Sequence, residues 1–490
     1  MLNIMTRRVL SATLFILQCA SALPALNSSI ETYHFPEGLD RAHSYGIQVK
    51  QSTGGVHTVE SYSAIVSEAN TTSGKGIEHN TSFALFDFEG SVDLIVTYNN
   101  GPVKSAVIRP YSYGIKPTVK GNTVSFSLDR PRNVVLQVND DIFDTLQLFT
   151  NAIETDIPSQ RDPNVVYFGP GIDNGPSSKN GTLVIPSGKA VYLAPGAVVT
   201  SRLAFQNATS GSIQGRGVIN PRSSGGILIE WSSNILVKDI LILGAKGFSV
   251  TTGTSKNITM SGIRSMSSTG NGDGIDFFCS EDVLIDGVFL RNSDDNIALY
   301  QHRWNYYGNS KNITVQNSSL WADWAHPINI GTHGNTDKPE TMDGVTIRNI
   351  DILDHREPQM WYQGCIAINP GDSNLIQNVH IEDVRVEDFR LGQLLNFRVM
   401  YNSKYNTSPG RGIRNVYVKD LVYNGSHANP SLFLGYDKDR NISNVTFVNL
   451  QVNGKLIDDN MAKPSWYYTA DFVPMFANEY VEGLNFTHEQ

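Results

Sequence analysis

Cysteine is almost missing from this chain: its 490 residues hold three, Cys19, Cys279 and Cys365. That excludes a small disulfide-stapled scaffold. Cys19 falls in an N-terminal apolar stretch, and for the other two a single disulfide and a pair of buried thiols both stay open. Basic runs are also missing beyond Arg7 and Arg8. Asp plus Glu outnumber Lys plus Arg 47 to 38, a formal charge of -9, so neither nucleic acid nor an anionic membrane is an expected partner. Past the N-terminus no stretch approaches the roughly 20 apolar residues of a membrane helix. A composition of 40% hydrophobic and 17% charged residues excludes disorder and collagen-like repeats and fits a soluble globular protein.

At the N-terminus, Arg7 and Arg8 precede the apolar stretch Val9 to Leu17, which ends in Ala20-Ser21-Ala22. This pattern predicts a secretory signal over 1–22 and an extracellular protein. Sequons suit that route. Besides Asn27 and Asn485, they place candidate glycosylation sites at Asn70, Asn80, Asn180, Asn207, Asn257, Asn312, Asn317, Asn406, Asn424, Asn441 and Asn444.

Between about Ser82 and Phe149, short alternating runs such as "VDLIVTY" and "TVSFSL" are divided by turns such as Asn99-Asn100-Gly101. Period-two alternation with that punctuation predicts an N-terminal β-sandwich over 23–155. After Asp162 a repeat takes over. It reads "NILVKDI" at Asn234, "NITMSGI" at Asn257, "DVLIDGV" at Asp282, "NITVQNS" at Asn312, "GVTIRNI" at Gly344, "NVHIEDV" at Asn378, "NVYVKDL" at Asn415 and "NVTFVNL" at Asn444. Each unit is a short strand that cannot bury its own apolar face. Stacked units can, which predicts an all-β parallel β-helix over 160–465, followed by a tail over 466–490. A leucine-rich horseshoe would need a helical half-repeat, and a propeller would need four strands per unit.

Successive coils of such a solenoid lie about 4.8 Å apart. Asp273 and Asp294 are 21 positions apart (294 − 273), close to one coil, so Asp273, Asp294 and Asp295 should converge. Asp276 lies three positions after Asp273 and should point to the other side. The neighbours Asn271, Gly272 and Gly274 favour Asp273 at the site. Like charges raise one another's pKa, leaving one carboxyl protonated beside ionised ones. Glycosidic cleavage needs that combination, and an inverting enzyme of the usual kind sets its acid and base about 6.5 to 9.5 Å apart. A solvated acidic turn, a calcium site and a non-catalytic glycan-binding solenoid remain open alternatives.

Asn271-Gly272-Asp273-Gly274, then Asp294-Asp295, then His326-Pro327-Ile328-Asn329-Ile330-Gly331 resembles the active-site series of the β-helical glycoside hydrolases that include polygalacturonases. It is similar also to the related dextranase and isopullulanase family, which carries a β-sandwich ahead of its helix. The resemblance implies a right-handed parallel β-helix of the pectin-lyase-like kind and a glycoside hydrolase acting on polysaccharide as a monomer, with no metal or organic cofactor. Carried over by position, Asp294 is the general acid, Asp273 and Asp295 hold and activate water, and His326 assists by hydrogen bonding. Trp304, Tyr306, Trp324, Trp361 and Tyr362 are candidate sugar platforms, with Asn271, Asn329 and His333 as further substrate contacts. Polygalacturonases carry an Arg-Ile-Lys segment after the histidine. Here the corresponding stretch reads Gly364-Cys365-Ile366-Ala367-Ile368-Asn369, which favours a neutral α-glucan, of the dextran or pullulan kind, over a pectin-type chain.

Overall fold

A computed structural model describes residues 29–489 apart from 52–53, 71, 74, 176–180 and 463–474. The expected signal segment and Asn180 lie outside the described residues. From Val165 onward the chain coils through two long parallel sheets. One has 11 strands, one per coil, running from Thr182–Val184 to Met475–Ala477. We call it the floor sheet, because the site described below lies on it. The other has 20 strands and makes the remaining two walls.

Register explains why the repeat was visible. Ile235, Ile258, Val283, Ile313, Val345, Val379, Val416 and Val445 pair rung on rung in one column. Ile227, Val250, Ile275, Ile297, Ile328, Ile366 and Leu395 form another on the floor sheet. All are buried in one continuous core. Each such side chain contributes about 1.5–3 kcal/mol on burial, provided a neighbouring rung covers it.

The residue that opens most repeats has a backbone reason. Asn234, Asn257, Asp282, Asn312, Asn378, Asn415 and Asn444 all have φ between 53° and 57°, the left-handed region that Asn and Asp tolerate best among residues with a β-carbon. They turn the chain at one corner of each coil. Their side chains also join rungs: Asn257 Nδ2 donates to Asn234 Oδ1 at 2.7 Å, and Asn312 to Asp282 at 2.8 Å. At the opposite corner, Asn317, Asn349, Asp383 and Asp420 have positive φ inside the single strands Ser310–Ala322, Thr341–Asp354, Leu375–Val386 and Gly412–Tyr423. These strands bend there and serve both walls.

Residues 30–151 form a six-stranded mixed sheet and a five-stranded antiparallel sheet. An apolar cluster including Ile47, Leu94, Val96, Phe126, Phe86 and Leu136 lies between them. The outer face of the six-stranded sheet, with Phe83, Leu85, Val135 and Phe149, packs against Val218, Leu241, Phe289, Trp321 and Leu353 of the solenoid wall. One boundary differs from expectation: Met475–Ala477 and Val481–Thr487 pair with Ser431–Leu434 and Ile442–Val448. The supposed tail therefore closes the last coil. Its apolar positions are few, so it reads as a tail until Phe486 is seen stacked on Phe447.

Candidate active site

Pairing of the floor strands puts Ile275, Ile297 and Ile328 on successive rungs. Two residues before each come Asp273, Asp295 and His326, so these three occupy equivalent places on neighbouring coils. Asp294 precedes Asp295 by one. An oxygen from each of Asp273, Asp294 and Asp295 lies within 4.8 Å of the other two.

Asp295 is held from four directions. Its Oδ1 accepts from His326 Nδ1 at 2.6 Å and from the His326 backbone N–H at 3.0 Å. Its Oδ2 accepts from Tyr300 Oη at 2.8 Å and from Asn329 Nδ2 at 2.7 Å. Burial alone would raise this carboxyl, but the His326 charge and these hydrogen bonds hold it below the usual range. His326 is fully buried, and its Nε2 faces the Tyr362 carbonyl at 2.5 Å. With an acceptor at each ring nitrogen, the imidazole favours its doubly protonated form. Burial opposes that, yet the Asp295 charge raises its pKa.

Asp294 lacks such support. Its Oδ1 accepts from the Asp295 backbone N–H at 3.1 Å, while burial and then the Asp295 charge push its pKa up to about 7. Asp273 is raised well above the carboxylate range by burial and by the charges of Asp276, Asp294 and Asp295, and its buried Oδ1 has no protein partner. Asp276 lies in the floor strand, fully buried, with neither oxygen hydrogen-bonded. Burial, then Asp295 and Asp294, raise it strongly. It does not line the cavity, whereas Asp273 does.

That cavity has a volume of about 460 Å³. Of the expected residues, Asn271, Asp273, Asp294, Asp295, Trp324, His333 and Tyr362 line it. Burial and the Arg303 charge lower His333 to about 4, so it lines the cavity as a neutral ring. The others are placed differently. His326 and Asn329 stand behind Asp295 and orient it. Trp304 packs on Phe278 with centroids 5.3 Å apart, outside the lining. The Tyr306 hydroxyl is committed to Glu230 at 2.7 Å, and Trp361, 60% exposed, is not part of the lining. For Trp304 and Tyr306, sequence proximity to the aspartates was misleading because the loop 301–309 folds back over the floor sheet.

Sequence reading missed Phe248, Tyr300, Arg303, Glu357, Gln359, Lys404 and Tyr405, all of which line the cavity. Tyr300 had a signal, since it alternates with the core-facing Ile297 and Leu299 on the strand Ile297–Tyr300 that follows Asp295. The rest arrive on loops from other coils. Two of them alter the charge argument. The strand Ile366–Asn369 carries no cation, but Arg303 and Lys404 bring two into the cavity from outside it. Among the described residues neither has a carboxylate within ion-pair distance. Lys404 Nζ donates to Gln359 Oε1 at 3.2 Å, and Arg303 lies over the Trp304 ring at 4.6 Å.

Both remaining cysteines are buried and free. Among the sequons, Asn406 is 5% exposed and its amide donates to the Thr332 carbonyl, which leaves no room for a glycan and removes it as a candidate. Asn257, Asn312, Asn317 and Asn444 donate their amides to neighbouring rungs. Asn80, Asn207 and Asn424 are exposed, and Asn70 and Asn441 half-buried.

The sequence profile described as Glycosyl hydrolases family 28 matches residues 212–463, just over half of the chain and all of the cavity-lining coils. The chain belongs to glycosyl hydrolase family 28. Curated relatives of this family 28 protein include a polygalacturonase from Medicago sativa, 28% identical over 168 residues, which are 34% of this chain and 37% of that one. A polygalacturonase from Chamaecyparis obtusa is 26% identical over 145 residues, 29% of this chain and 26% of that one. The matched stretches thus span about a third of these relatives or less. Among solved structures, Dex49A from Penicillium minioluteum covers 94% of this chain and 96% of its own, with a TM-score of 0.63 at 13% identity. It shares the family 28 protein's fold.

Proposed function

We propose that this glycoside hydrolase is a secreted enzyme that cleaves a polysaccharide with inversion. The observation that carries the reading is the unequal state of two adjacent carboxyls: Asp294 keeps its proton up to about pH 7 while Asp295 is held ionised. Environments that push neighbouring pKa values apart assign the acid and base roles. Asp294 gives its proton to the leaving glycosidic oxygen. Asp295, held ionised by four donors, takes the proton of the attacking water, and Asp273, with its unpartnered Oδ1, holds that water in place.

The separation expected from the sequence, about 6.5 to 9.5 Å between acid and base, is not what the coils provide. One rung is about 4.8 Å, and the oxygens stand within 4.8 Å of one another. Two oxygens at that distance can both meet a single water at about 2.7–2.8 Å. The water is therefore clamped between the Asp295 carboxylate and the Asp273 carboxyl, with Asp294 offering its proton from beside them.

For the substrate we take a pectin-type, uronate-bearing chain. The curated relatives are polygalacturonases, and Arg303 and Lys404 supply cations that a sugar carboxylate can pair with. The neutral α-glucan reading keeps one point in its favour, the uncharged floor strand Ile366–Asn369. We read residues 30–151 as a β-sandwich that braces the solenoid, the coils as right-handed, and residues 1–22 as the export signal.

Incubating the purified protein with polygalacturonate, dextran, pullulan and α-1,3-glucan, with product anomers followed by NMR, tests this. Polygalacturonate should be hydrolysed, and the first product should carry the inverted anomer. A retained anomer would remove the clamped-water assignment, and cleavage of dextran or pullulan alone would remove the uronate.

A further inference from the structure

We propose that the enzyme attacks chain ends, because its groove is plugged by Tyr306 and Trp304; this rests on the hydrolase reading above. On the floor sheet, Glu230, Gly253, Phe278 and Tyr300 are paired in one row across four coils. A polysaccharide running along the solenoid from the aspartates toward the N-terminal coils would have to lie on this row. The row is covered. After Tyr300 the loop 301–309 folds back over it. The Tyr306 ring stands only 2.3 Å from where a β-carbon on Gly253 would be, so glycine is what lets the ring settle there. That ring stacks on Phe278 at 5.7 Å and lies 5.5 Å from Trp231. Trp304 adds contacts to Phe278 and, at 6.4 Å, to Phe248 at the cavity edge.

The plug is built into the loop. Tyr306 is 6% exposed. The Tyr306 backbone N–H donates to the Arg303 carbonyl at 3.0 Å, and the His302 ring meets the Tyr306 carbonyl at 2.6 Å. Glu340 accepts from the backbone N–H groups of His302 at 2.8 Å and of Gly308 at 2.7 Å, one at each shoulder of the turn.

The opposite end is walled as well. Tyr405 stacks on Tyr362 at 4.7 Å, and Lys404 reaches Gln359 across the gap. The Thr407 backbone N–H is tied to Asp372 at 2.6 Å. Between the walls lies the cavity of about 460 Å³, within the range of pockets that enclose a small ligand. A short terminal stretch of sugar fits such a space, with the rest of the chain leaving through the mouth.

Time-resolved product analysis on polygalacturonate tests this, with viscosity followed alongside reducing ends. The wild type should release one short product from the first minutes, with viscosity falling only late. An early ladder of intermediate lengths with a steep loss of viscosity would overturn the proposal. The double variant Trp304→Gly, Tyr306→Gly should open the groove, so that intermediate lengths appear early. A folded variant, checked by circular dichroism, that still yields only the short product would show that the plug does not set the cleavage mode. Should the variant not fold, the wild-type pattern decides. Absence of hydrolysis by the wild type on every polymer would instead bring down the hydrolase reading itself.

Discussion

Asp294 and Asp295 are adjacent and chemically identical, yet the four donors on one and their lack on the other split their behaviour. Replacing Asp294 by Asn keeps the shape and removes the transferable proton. Turnover should fall by at least ~100-fold, the usual worth of a general acid, with binding largely kept. An unchanged turnover number would refute the role. In the wild type the rate should decline as pH rises through about 7, where Asp294 loses its proton, and a pH profile of kcat/KM reads this directly. Stability follows the same signs. Asp276 has a folded pKa above its unfolded value, so its contribution is present below about pH 4 and is lost as pH rises toward the folded value. Asp276→Asn should therefore raise Tm most at neutral and alkaline pH, and little below pH 4. A uniform loss of Tm would show that Asp276 has a partner it cannot do without. The triad itself was legible in the sequence because one coil length separates Asp273 from Asp294. The identity of the partners was not. Nothing in the spacing says that His326 would turn inward to Asp295, or that Asn329 would serve the base instead of the sugar.

The repeated corner is the element that made the fold readable. Alternating apolar positions alone are ambiguous between many β architectures, whereas an Asn or Asp opening most units marks a left-handed turn recurring once per coil. Asn312 tests the two parts of that device. Asn312→Gly loses the hydrogen bond to Asp282 but keeps the backbone at ease. Asn312→Val loses both and places a branched side chain at φ 55°, at an added cost of about 1–2 kcal/mol. Chemical denaturation should rank the wild type first, the glycine variant next and the valine variant last; valine equal to glycine would show that the corner imposes no left-handed strain. The same regularity explains what stayed hidden. Loops 301–309 and 400–408 leave the repeat, have no periodic signal, and bring Arg303, Lys404 and Tyr405 to the cavity, so the charge of the site could not be read from the coil that follows His326. In these loops side chains far apart in sequence meet only because the coils beneath them are stacked.

The whole molecule joins its N-terminal sheets to the solenoid through a seam of buried arginines. Arg216 pairs with Asp87 at 2.6 Å, Arg264 donates to Asn151 at 2.6 Å, and Arg109 pairs with Glu387 at 2.6 Å. Arg291 reaches the Ile142 carbonyl at 2.7 Å and Thr145 at 3.0 Å on one side, and Asp323 at 2.9 Å on the other. Both Arg291 and Asp323 are fully buried. Asp323 stands one residue before Trp324 and three before His326, so the seam also supports the turn that carries the site. Arg390 also holds Asp323, at 3.0 Å, but a single partly exposed guanidinium is poor compensation for a fully buried carboxylate. Arg291→Ala should cost about 3–5 kcal/mol, as expected when one member of a buried ion pair is removed, and Arg291→Ala with Asp323→Ala together should cost less than the sum of the two single changes. Urea denaturation of the four proteins closes that cycle. If the two losses simply add, the two side chains act independently, and Asp323 does not depend on Arg291 for its charge.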